Sequence, residues 1–224
     1  QGETRQDVPI SAGLYFYEIE TELRTGAFIA NGKTWFRVFA PRATGATVEV
    51  FHNRDESDRV TVPMSLHADC VTWEATLDGN FHGAYYYLRI DGTDIDNETE
   101  FRPDLRLLDP WALACAAHDG PGIVLDSVKL PRPKKHFTPP AREDLVILEV
   151  HVRDLIKHAP IDLTPQERRG FTGLRKWVDT KGSYLRELGV NAIELQPVQQ
   201  NDARSAEAYH WGYMTTNFFA PNCH

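Results

Sequence analysis

The chain has 224 residues, 42% of them apolar and 25% charged, an ordinary globular mixture long enough to bury a sizeable core without staples. No apolar run approaches the ~18–20 residues a membrane span needs. The formal net charge of −8, from 24 basic and 32 acidic side chains, argues against a broad phosphate-binding surface and against nucleic acid as a partner.

The first 140 residues read as all-β. Thr34–Phe39 alternates and stops at Ala40-Pro41; Thr47–His52 alternates more cleanly. Val71–Leu77 places Val71, Trp73, Ala75 and Leu77 on one face, and Asp78-Gly79 turns the chain. Gly83–Ile90 is the strongest strand, ending at the Asp91-Gly92 turn, with Tyr85 and Tyr87 on one face and Tyr86 on the other. Short alternating strands between turn signals specify two packed antiparallel sheets, an immunoglobulin-like β-sandwich over residues 1–108. The outward aromatics, and Trp35 and Trp73, offer a stacking surface, but core and domain packing is their ordinary use.

From Asp109 the pattern is lost. Pro110, Pro121, Pro131, Pro133, Pro139 and Pro140 forbid a regular helix or central strand. Residues 109–143 read as a connector lying over the surface, with Arg132, Lys134 and Lys135 as a solvated basic face.

The period then changes. Asp144–His151 is a near-continuous apolar run, the signature of a parallel strand buried on both faces. Thr164-Pro165-Gln166-Glu167 fits a helix start, with Thr164 as N-cap and Glu167 at N3. Lys181–Leu188 reads as helix with Tyr184, Leu185 and Leu188 on one face, and Gly189 ends it in the left-handed conformation. Val190–Gln196 is a second strand. Strand, helix, strand is a βαβ unit, so residues 144–224 open a parallel α/β domain. Arg153 and Asp154 are expected to pair and hold the end of its first strand. Aromatic residues crowd the segment Ala208–Pro221 beyond the second strand, where barrel enzymes build their sites. Aromatic faces stack on the C–H faces of sugars, although such clusters more often pack a loop.

Six stretches in order resemble one family. They are Trp35–Pro41; Trp73–Leu77 with His82–Tyr87; Leu108–Ala112; Glu149–Asp154; Leu188–Val198; and His210–Thr215. Together they resemble the alpha-amylase superfamily, glycoside hydrolase family 13, in its isoamylase, pullulanase and glycogen-debranching group, with an N-terminal carbohydrate-binding module of family 48 type. The Met214-Thr215 pair is nearer the isoamylase form. The resemblance implies a sandwich followed by the first βα units of a (β/α)8 TIM barrel, and a retaining alpha-1,6-glucan hydrolase acting on glycogen, amylopectin or pullulan. It implies that Tyr213 stacks against the sugar beside the scissile bond, that Trp211 packs the loop and shapes that subsite, and that His210 stands within reach of a sugar hydroxyl.

Residues 145–224 hold about two strands and the start of a third step at ~30 residues per βαβ unit, against ~250 for a whole barrel. The pair of catalytic carboxylates, which the family carries on later strands, is therefore expected to be absent, and Asp154, Asp202 and Glu207 are not assigned to those roles. Such an open remnant would need the remainder of a barrel, or another contact, over Leu145–Val150 and Val190–Leu195. A non-catalytic glucan-binding or scaffold protein and a glucan branching transferase stay open as alternatives. No metal, nucleotide or other cofactor motif is present. Cys70, Cys115 and Cys223 are expected to be free and mostly buried. Gln1 opens the chain with no signal-peptide pattern, which leaves the compartment open with the cytoplasm preferred to secretion.

Overall fold

The computed structural model describes residues 19–93, 100–132 and 137–224. Among these, two four-stranded antiparallel sheets form the first part of the molecule. One joins β1 (Gly26–Ala30), β2 (Lys33–Phe39), β6 (Thr72–Asp78) and β5 (Ser65–Leu66) in the order β1-β2-β6-β5. The other joins β4 (Val60–Pro63), β3 (Ala43–Phe51), β7 (Tyr85–Gly92) and β8 (Gly122–Ile123) in the order β4-β3-β7-β8.

Alternation decides what is inside. Phe36 and Val38 from β2, Val48 and Val50 from β3, Trp73 and Ala75 from β6, and Tyr86 and Leu88 from β7 make one buried cluster. Each large apolar side chain in it contributes about 1.5–3 kcal/mol by leaving water. Phe36 and Tyr86 meet across the two sheets edge to face, ring centres 5.3 Å apart. Trp73 is therefore a core residue. Tyr85 and Tyr87 point outward around Phe51, at 5.6 and 6.3 Å. Trp35 also faces outward, stacked parallel to Phe28 with the Arg37 guanidinium 4.8 Å from its ring centre.

Three features depart from the sequence reading. β7 runs through Asp91-Gly92 instead of ending at Ile90, because Gly45 pairs with Asp91 and Ala43 with Gly92. The stretch after Asp109 does not simply lie over the surface. Asp109, Ala112, Cys115 and Val124 are buried, and Gly122–Ile123 adds β8 to the sheet. Pro133, Lys134 and Lys135 lie outside the described residues, and Arg132 is exposed. Only Cys115 is buried; Cys70 and Cys223 are exposed free thiols.

The second part is the opening of a barrel that is not yet closed. β9 (Ile147–Val150) and β10 (Ala192–Leu195) pair in parallel, with Glu149 opposite Glu194. Between them run α1 (Val152–Lys157) and α2 (Phe171–Glu187). Ile156, Ala159, Leu163, Trp177 and Leu185 form a second core against Leu148 and Ile193 of these strands. The expected double burial of the first strand is not met: Leu145, Val146 and Ile147 are exposed, because two strands leave one sheet face uncovered. The helix is longer than its C-terminal pattern suggests. Leu174, Trp177 and Leu185 pack inward while Tyr184 and Leu188 are exposed.

Thr164 and Glu167 do form the reciprocal capping pair, each main-chain N–H donating to the other's side chain at 2.9 and 3.3 Å. It caps a short 3-10 turn at Glu167–Arg169 rather than α2, which starts after Gly170. Gly189 ends α2 at φ +79°, with Val190 N–H donating to Leu185 and Gly189 N–H to Arg186, the double-bonded left-handed stop. Beyond β10, β11 (Gln199–Asn201) and β12 (Thr215–Pro221) pair antiparallel. The segment read as one aromatic loop is thus half loop and half strand.

Candidate functional site

The C-terminal ends of parallel strands carry the sites of barrel enzymes, because the loops there converge on one face. Here the chain leaves β9 into His151-Val152-Arg153-Asp154 and leaves β10 through β11 into the loop that carries residues 208–214. The first segment grips the second at three points. Arg153 Nη1 donates to the Ala208 carbonyl at 3.0 Å. The Tyr209 hydroxyl donates to Asp154 Oδ2 at 2.8 Å, a charge-assisted bond that raises the hydroxyl's pKa above its usual value. His151 Nε2 lies 3.0 Å from the His210 carbonyl.

The histidine tautomers follow from these partners. His151 Nδ1 accepts from the Asp154 N–H as the N-cap of α1, which leaves Nε2–H to donate to His210. His210 Nδ1 accepts from the Gly212 N–H at 2.8 Å, so its Nε2–H faces Asp202 Oδ1 at 2.7 Å. Asp202 N–H in turn donates to the Met214 carbonyl. Each group holds the next along the loop.

That geometry presents aromatic rings to solvent. Tyr213 is 62% exposed and Trp211 61%. Tyr213 lines a shallow bowl of about 320 Å³ with Glu149, Glu194, Leu195, Gln196 and Pro197. A second cleft, about 230 Å³, lies by His151, Arg153, Arg169, Phe171, Gln196 and His210. The three residues singled out from sequence thus share one loop but play different parts. Tyr213 opens onto the bowl. Trp211 interacts with the Tyr209 side chain of the same loop and leaves most of its surface exposed. His210 is half-buried with both ring nitrogens engaged, so it braces the loop rather than offering a spare donor.

The expected Arg153–Asp154 pair is not formed. Arg153 goes to Ala208 and Asp154 to Tyr209, because a loop carbonyl and hydroxyl lie closer than the neighbouring side chain. Asp202 is bonded to His210 and Glu207 to Arg169. Among the described residues no group of three or more His, Cys, Asp or Glu side chains is placed to hold a metal ion.

Sequence reasoning missed a buried polar seam between the sandwich and this loop. Asp109 accepts from the Tyr86 hydroxyl at 2.8 Å and from the Trp111 N–H at 2.9 Å. Its carbonyl accepts from Asn217 Nδ2 at 3.0 Å. Asp109 stands in an otherwise apolar Leu-Asp-Pro-Trp-Ala run, which was the available signal: an isolated carboxylate among core residues needs a buried partner.

Residues 24–112 match the family model of carbohydrate-binding module 48, the isoamylase N-terminal domain. The sandwich is a carbohydrate-binding module of that type. The chain is 33% identical over 215 residues to a pullulanase of Bacillus subtilis strain 168, covering 88% of this chain and 27% of that protein. It is 30% identical over 222 residues to the chloroplastic isoamylase 1 of Oryza sativa subsp. japonica, with the same coverages. The crystal structure of pullulanase type I from Bacillus subtilis str. 168, complexed with maltose, superposes with a TM-score of 0.67 at 28% identity, over 94% of this chain and 29% of that one. The chain is therefore homologous to the pullulanase and isoamylase debranching enzymes of glycoside hydrolase family 13 over their N-terminal region. It spans about a quarter of the length of these relatives.

Proposed function

We propose that the chain is the N-terminal part of an isoamylase- or pullulanase-like alpha-1,6-glucan debranching hydrolase, which acts on glycogen, amylopectin or pullulan with retention. The observation that carries this reading is the presentation of Tyr213, two-thirds exposed on a braced loop, at the C-terminal ends of two parallel strands. A ring held this way stacks on a sugar with little loss of side-chain freedom on binding. Trp211 adds a second face, and His210 acts by holding both. The catalytic carboxylates belong to strands beyond these residues.

Two measurements test it. Maltotetraose titrated into the 224-residue chain is expected to change tryptophan emission saturably, with at least tenfold weaker binding in Tyr213→Ala. Equal binding by the two proteins removes Tyr213 from the subsite. The complete reading frame, expressed and given amylopectin, is expected to release linear chains. New branches without release of linear chains make the protein a transferase instead.

A further inference from the structure

We infer that Asn217 is a positioning residue: it fixes the strand behind Tyr213 against the sandwich, so that the carbohydrate-binding module sets the geometry of the aromatic loop. The inference rests on the reading of Tyr213 as a glucan contact. It adds a task for the module that does not require the module itself to hold sugar.

Asn217 is 1% exposed, and its amide works in two directions. Oδ1 accepts from the N–H groups of Phe219 and Ala220 at 2.9 and 2.8 Å, within its own strand. Nδ2 reaches out of the strand to the Asp109 carbonyl at 3.0 Å. Asp109 is tied through its carboxyl to Tyr86, the second residue of β7. The partner of Asn217 in the hairpin is Gln200, which is fully buried. Its Oε1 takes the Cys223 N–H at 2.9 Å and faces the Cys115 thiol at 3.6 Å. Two buried amides, opposite each other on β11 and β12, thus each reach the segment that leaves the sandwich.

The hairpin needs such ties. Its register is irregular at Gln199/Gln200 and again at Gln200/Asn201, so the ladder alone fixes β12 weakly. A one-residue slip of a strand turns every side chain to the opposite face. Thr215, the first residue of β12, pairs with Asn201, and Met214 accepts from Asp202. Any slip would therefore carry Tyr213 out of the bowl and break the Asp202–His210 contact. Apolar packing tolerates sliding; a donor aimed at one carbonyl does not.

Asn217→Asp separates the two jobs. It keeps the acceptor for Phe219 and Ala220 and removes the donor to Asp109. Asn217→Ala removes both. Amide hydrogen exchange at residues 208–214, without ligand, is expected to accelerate at least tenfold in both variants, while β2 and β7 keep their protection. Maltotetraose binding is expected to weaken tenfold. Unchanged exchange in the loop overturns the inference, and so does a uniform loss of protection that includes β2 and β7, which makes Asn217 an ordinary core residue. Should the unsubstituted chain fail to bind maltotetraose, the reading of Tyr213 falls, while the exchange result still decides the role of Asn217.

Discussion

Gly212 lies with its backbone against the carbonyl of Pro197, so closely that a Cβ at position 212 would overlap the Pro197 oxygen. Its φ is +93°, a region that side chains rarely enter. The glycine between Trp211 and Tyr213 is thus required twice, by conformation and by space. It lets the loop turn tightly over the end of β10 and aims its N–H at His210 Nδ1.

Gly212→Ala is expected to displace the loop and leave the sandwich intact. The backbone strain alone is about 1–2 kcal/mol, and relief of the clash has to move Pro197 or release the His210 contact. Limited proteolysis checks it: cleavage between residues 204 and 214 rises, while amide-exchange protection in β2 and β6 stays unchanged. A loop as resistant as the original would contradict the assignment.

Asp109 makes stability depend on pH. Burial pushes its carboxyl up from 3.8 to about 6, against the opposing pull of the Trp111 N–H and the Tyr86 hydroxyl. Between about pH 4 and 6 the folded chain holds a proton that the unfolded chain releases, so stability falls as pH rises through that window. The full effect is on the order of 3 kcal/mol. Asp109→Asn keeps an acceptor for Trp111 and carries no charge, so it should flatten this slope. Urea midpoints at pH 4.5, 5.5 and 7 for both proteins decide it, and parallel slopes would refute the account.

Arg168 closes the C-terminal end of α1. Its guanidinium donates to the carbonyls of Ile156, Lys157, Ala159 and Ile161 at 3.1–3.4 Å. Ile156 and Lys157 end α1, where a helix leaves carbonyls short of partners, and Ala159 and Ile161 belong to the turn that follows it. Arg168→Ala should cost about 2 kcal/mol, read as a lower denaturation midpoint of the α/β part. Arg168→Lys should recover little, because an ammonium cannot span four acceptors as a planar fork does.

How much of this was readable beforehand follows from where the physics is local. Phe36, Val38, Trp73 and Tyr86 were legible because a period of two survives in sequence whenever one sheet face is buried. Gly189 was legible because a helix stop depends on its own φ. The first ten residues of α2 were hidden, since Gly170 supplies no side-chain cap and its buried ring, Trp177, has Val178 and Lys176 beside it. β4, β5 and β8 were too short to carry a pattern. In the site, Tyr213 was visible by motif, but its brace was not. The Arg153–Ala208 and Asp109–Asn217 contacts join residues 55 and 108 positions apart, and no spacing rule reports such pairs.

One acidic pair lies within the bowl itself. Glu149 and Glu194 stand opposite each other on β9 and β10, below Tyr213 in the same bowl. Neighbouring strands lie about 4.8 Å apart, close to the ~5–5.5 Å between the carboxyl groups of a retaining glycosidase. Distance alone does not make them catalytic. The nucleophile and the acid/base must flank the scissile bond, whereas two side chains in register on one face of a sheet approach it from the same side. The other acids near this face are committed: Asp154 to Tyr209, Asp202 to His210 and Glu207 to Arg169. The 224-residue chain is therefore expected to leave pullulan and amylopectin intact, measured as reducing ends over a day at micromolar protein. Turnover that survives repurification and disappears in both Glu149→Gln and Glu194→Gln would show that this pair carries chemistry after all.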